Sequence, residues 1–130
     1  MLSPRRLVAL TALVVAIAIT VAFLTIRQRN KDAMWSMYAD IHNLAVSQAA
    51  HFYDYATFSK DYPNQYSPTH GAAVKITSAT DTSWSAVATH SHASQICSIA
   101  YVQHRDATPN QVNEARAAAM KGYACKPRSS

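Results

Sequence analysis

LVALTALVVAIAITVAFLTI, Leu7 to Ile26, is an unbroken stretch of 20 residues without a charge, and its reading decides the rest of the chain. As a helix rising about 1.5 Å per residue it reaches roughly 30 Å, the thickness of a bilayer's hydrocarbon core. Its only polar side chains are Thr11, Thr20 and Thr25, whose hydroxyls can bond back to helix carbonyls. The sequence therefore predicts a short cytoplasmic amino terminus (1–6), a membrane span (7–26) and an exposed remainder. A cleaved secretory signal is the competing reading, with Met1 to Arg6 as its basic region and Ala16-Ile17-Ala18 as a small-x-small cleavage site. The apolar stretch runs on through Ile26, longer than the usual signal core, which favours a retained anchor.

The net charge of +5 belongs to the flanks of this span. Arg5, Arg6, Arg27, Arg29 and Lys31 against Asp32 leave +4 there, whereas seven basic residues and six acids from Ala33 onward leave +1. Such flanks suit Arg and Lys heads reaching for lipid phosphates. The exposed domain has no basic stripe of the kind that binds nucleic acid. Both flanks are basic, so the positive-inside rule does not decide orientation. The cysteines bear on it instead. Cys97 and Cys125, the only two in the chain, read as one disulfide of a small domain, which needs an oxidising compartment. The amino terminus is then cytoplasmic and the domain periplasmic, as expected for a single-pass protein of a bacterial inner membrane.

Beyond the basic flank, Met34, Met37, Ile41, Leu44, Phe52 and Tyr55 recur at helical spacing, with Gln48 interrupting the stripe. No Gly or Pro falls between Arg27 and Phe58. The span is thus expected to continue as one rod (27–58), helical to about residue 57 and amphipathic, lifting the domain off the bilayer. Pro63, Pro68 and Gly71 mark a loop, and three alternating segments follow: Val74-Ile76-Ser78, Trp84-Ala86-Ala88 and Cys97-Ile99-Tyr101. They predict a three-stranded antiparallel meander packed on the helical stripe. Thr108 as cap, Pro109 at the first helical position and Gly122 as stop predict a short helix over Gln111 to Lys121. The fold class is α+β, with a long amino-terminal helix, a small meander and carboxy-terminal helix in 59–130, and one disulfide.

The pattern from Asp40-Ile41-His42-Asn43-Leu44-Ala45 through Gln48, Phe52-Tyr53, Tyr62 and Val74-Lys75-Ile76-Thr77 to Thr82–His90 and Cys97 resembles the periplasmic part of type IV pilins and pseudopilins, over about residues 34 to 101. That resemblance implies a helix wrapped by a meander and closed by a carboxy-terminal disulfide loop. The chain departs from the family at its start. Pilins carry a basic leader ending in Gly, then Phe-Thr-Leu-Ile-Glu; here Arg5-Arg6-Leu7-Val8-Ala9-Leu10 stands instead. With no Gly for leader processing and no carboxylate in the span to pair with a neighbour's amine, the resemblance supports the fold and weakens filament assembly as the role.

Signatures of chemistry are sparse. Gly71 and Gly122 are the only glycines, so no phosphate loop forms, and G-x-S-x-G, H-E-x-x-H and C-x-x-C-H are absent. The chain is expected to be non-catalytic, with no cofactor and no small-molecule substrate. His90 and His92, two apart on a strand, are weak metal candidates that His70 or His104 can approach; the bland reading is a solvated turn. His42 and His51 lie on opposite helix faces and form no common site. Of the aromatic residues, Met34, Trp35 and Tyr38 sit low on the rod, below the expected sheet, and are the candidate contacts for protein or lipid. Ala9, Ala12, Ala16 and Ala18 permit close approach of neighbouring helices. The expectation is a structural accessory subunit bound to other subunits of an integral membrane complex. A bacterial photosynthetic reaction-centre–light-harvesting complex is one host of that kind. The alternatives are a divergent minor pseudopilin and a periplasmic metal or ligand sensor.

Overall fold

The computed structural model describes residues 3–63, 66–69, 71–103 and 112–129. Helix α1 runs unbroken over Pro4–Tyr55, 52 residues. Pro4 stands at its first position, where the missing N–H costs nothing, and Ser3 before it is extended. Thr11, Thr20 and Thr25 each return their hydroxyl to a carbonyl of the preceding turn at 2.8–2.9 Å, so all three hydroxyls of the apolar stretch are paired within the helix. The helix ends where Ala56 turns left-handed (φ 55°) and donates its N–H to Phe52 O.

Strands β1 (Ala72–Ala79), β2 (Ser83–His90) and β3 (Gln95–Val102) form the expected antiparallel meander. The sheet has four strands, not three: β4 (Ala124–Pro127) pairs antiparallel with β3, giving the order β1-β2-β3-β4. Helix α2 covers Val112–Met120; the proposed Thr108 cap and Pro109 lie outside the described residues. After α2 the chain turns at Gly122, packed so tightly on β3 that an added Cβ would fall 2.2 Å from Ala100 O. The Cys97–Cys125 disulfide then joins directly paired residues of β3 and β4.

One face of the sheet lies on the second half of α1. Met37, Ile41 and Leu44 are completely buried and meet Val74 and Ala79 of β1, Trp84, Ala86 and Ala88 of β2, and Cys97 and Ile99 of β3 in one cluster. Burying each large aliphatic residue contributes about 2 kcal/mol. The alanines of β2 leave room for the helix to approach. Strand β1 reaches the same core from both ends because a bulge at Thr77 separates the pairs Ile76–Ala86 and Ser78–Ser85. Val74 and Ala79 therefore both point inward despite their odd spacing.

Two polar residues of α1 are buried in this interface, and both hold the loop before β1. Gln48, fully buried, donates from Nε2 to Ser59 O at 2.8 Å and accepts the Ser59 N–H on Oε1 at 2.9 Å. Asp40, 1 % exposed, accepts the Thr69 N–H at 2.9 Å and the Thr69 hydroxyl at 2.6 Å. Both ends of the connection are thereby fastened to the rod. At the opposite end, Ser94 N–H donates to Asn30 Oδ1 at 2.8 Å, bringing the β2–β3 turn down to the third residue beyond Arg27. The sheet thus sits low on the rod, its β2–β3 turn reaching down to Asn30 near the end of the apolar stretch.

Candidate functional site

Two surfaces stand out among the described residues. The first is the apolar half of α1. One helix among the described residues is long and apolar enough to cross a membrane, and the other described residues bury none of its apolar stretch. Leu7, Leu13, Val14, Ile17, Phe23 and Ile26 are each more than half exposed. Arg5 and Arg6 flank it below, and Arg27, Arg29 and Lys31 above; all five are exposed.

The second surface is aromatic and begins two turns above Ile26. Trp35, 71 % exposed, stacks on Tyr38 with ring centroids 5.5 Å apart, and Tyr38 meets Tyr123 edge-on at 5.3 Å. Tyr123 lies between α2 and β4, so the carboxy-terminal segment supports the ladder. Burial, with the neighbouring Tyr38 adding to it, pushes the Tyr123 hydroxyl above the ordinary phenol range. Of the three contacts expected from sequence, Trp35 and Tyr38 are exposed, Trp35 the more so, and Met34 packs partly buried against the core. The trio does not lie below the domain as expected, because the low seat of the sheet brings Tyr123 alongside it. Tyr123 was not singled out from sequence; its nearness to Cys125 was the available signal.

His42 is drawn to α2 rather than to another histidine: Arg116 Nη1, a guanidinium donor, lies 2.7 Å from its Nε2. The Arg116 Nε is buried without a partner among the described residues. His51 instead packs on Tyr55 at 4.6 Å. The His90 and His92 rings are 5.7 Å apart, and His90 Nδ1 accepts the His92 N–H at 3.1 Å, which occupies a lone pair a metal would need. Its Nε2 faces Gly71, whose φ of +91° lets the chain turn beneath the ring. Among the described residues no group of three His, Cys, Asp or Glu gathers to hold a metal; His70 and His104 lie outside them.

Burial also pushes the Tyr101 hydroxyl upward. The effect is larger for Tyr66, where burial is joined by the charge of Asp40 and by Tyr62. The Tyr66 hydroxyl is buried without a hydrogen-bond partner among the described residues. No protein-family model matches the chain, and no curated protein matches it either.

Proposed function

We propose that the chain is a non-catalytic, single-span accessory subunit that braces a larger integral membrane complex, with its amino terminus cytoplasmic and its small oxidised domain periplasmic. The observation that carries this reading is the continuity of α1. The same unbroken helix supplies an uncovered apolar half and the core of the domain. A neighbour packed on the span is thereby coupled rigidly to the domain. Trp35, exposed and stacked on Tyr38, is the anchor offered to that neighbour just above the bilayer. Purifying the tagged full chain in mild detergent and identifying what travels with it tests the reading. A stoichiometric membrane complex supports it, and photosynthetic reaction-centre–light-harvesting subunits are one identifiable outcome. A chain recovered alone from membranes of every growth condition counts against it.

A divergent minor pseudopilin is the second reading, favoured by a long helix packed on an antiparallel meander that a carboxy-terminal disulfide closes. It requires a processed amino terminus. Intact-mass measurement of the native chain separates the two, since an uncut Met1–Arg6 segment removes the pseudopilin reading.

A further inference from the structure

The stripe of α1 that forms the domain core continues downward past Ala33 through Asn30 and Ile26–Arg27 to Phe23, residues three or four apart and so on one helix face. The sheet stops above this continuation. Its β2–β3 turn, pinned by the Ser94–Asn30 hydrogen bond, overhangs the helix. A groove of about 520 Å³ lies beneath it, with Phe23 and Ile26 on its lower wall, Arg27 and Asn30 at its middle, and Ser91 and His92 above. Apolar residues thus lie at acyl-chain depth and polar or cationic ones at headgroup depth.

We propose that this groove holds the headgroup of one anionic glycerophospholipid, its phosphate against Arg27 and the turn and an acyl chain along Phe23 and Ile26. The inference rests on the membrane reading above and deepens it. Charge selects the ligand. Arg27 is exposed, and the only acid of the flank, Asp32, is held one turn away by Gln28 at 2.8 Å, on another face. A second cation braces the roof, since Arg128 donates to His90 O at 3.2 Å and its N–H to Ser94 O at 3.0 Å. Shape excludes a protein helix: one packed on Phe23 and Ile26 would run into the turn, whereas a lipid ends at that depth.

Arg29 provides the control, because it carries the same charge two residues on and does not line this groove. The full chain is placed in nanodiscs of mixed phosphatidylcholine and phosphatidylglycerol, released into mild detergent, and its retained lipid counted by native mass spectrometry. The wild-type chain should keep phosphatidylglycerol in preference to phosphatidylcholine. Arg27→Gln should lower the retained fraction about fivefold, the effect of one juxtamembrane cation. Arg29→Gln should leave it unchanged. Equal losses in the two variants, or equal retention of both lipids by the wild type, overturn the groove and leave the span intact. A chain that fails to enter nanodiscs overturns both. Near-UV circular dichroism of each variant confirms that the loss is not one of folding.

Discussion

Replacing Gln48 with Ala tests how the loop before the sheet is fastened. The side chain is fully buried and closes two hydrogen bonds on one residue, 2.8 Å to Ser59 O and 2.9 Å from Ser59 N–H. Truncation strands both Ser59 groups, and a stranded buried group costs about 1–3 kcal/mol. Ser59 is only half-buried, so water recovers part of this and the low end applies to each. The expected loss is about 2–3 kcal/mol, or roughly 10–20 °C in Tm for a domain of this size. Thermal melts of the full chain in detergent, followed by the near-UV signal of buried Trp84, read the domain while the span stays helical. Asn43→Ala, exposed on the same helix, is the control. Gln48→Glu adds a sign. Its carboxylate would face the Ser59 carbonyl, raising the folded pKa of that carboxyl above its unfolded value. The variant's deficit against wild type should therefore shrink as pH falls and widen as pH rises through the folded pKa. A Gln48→Ala shift no larger than that of Asn43→Ala would refute the two-bond clamp.

Tyr66→Phe should leave stability at pH 7 unchanged or raise it by about 1 kcal/mol, because it deletes a buried hydroxyl without a partner. Burial and the Asp40 charge penalise its phenolate in the fold, so the wild type loses stability above about pH 10, where the unfolded phenol ionises and the folded one stays protonated, a loss that Tyr66→Phe lacks. Melts of wild type and Tyr66→Phe across alkaline pH should diverge in that sense. Cys97→Ser with Cys125→Ser should cost about 3–4 kcal/mol by freeing the loop that the disulfide closes, read as the difference between the variant and the oxidised chain. Trp35→Ala should abolish co-purification of the partner complex with Tm unchanged, because the ring is 71 % exposed. Gly122→Ala should lower Tm measurably, its new Cβ driven into Ala100 O.

Strong periodicity made the long helix and the first three strands legible in sequence. Helix α1 stops at Tyr55 rather than about residue 57, because Ala56 adopts the left-handed turn without a glycine to announce it. The alternation of Val74, Ile76 and Ser78 held only as far as the bulge, beyond which Ala79 takes the inward place. Strand β4 escaped notice because four residues, Ala-Cys-Lys-Pro, show no apolar alternation. The disulfide partner in β3 was its one trace. Gln48 read as a break in the stripe, yet a carboxamide there pairs with backbone as another strand would. Asp40 carried no signal either, since a charge on the inner helix face is legible only once Thr69 is seen to meet it. The aromatic ladder was half legible: Trp35 and Tyr38 follow helical spacing, but Tyr123 reaches them only through tertiary folding.

On the membrane reading proposed above, the unbroken course of α1 makes the molecule a lever with its fulcrum in the bilayer. From Ile26 to Tyr55 the arm is about 43 Å long. A change of 20° in how the span leans, within the ordinary range for membrane helices, would swing its tip by roughly 15 Å. The sheet, packed on the arm through Met37, Ile41 and Leu44 and with its flanking loops tied at Asn30, Asp40 and Gln48, would travel as one body with it.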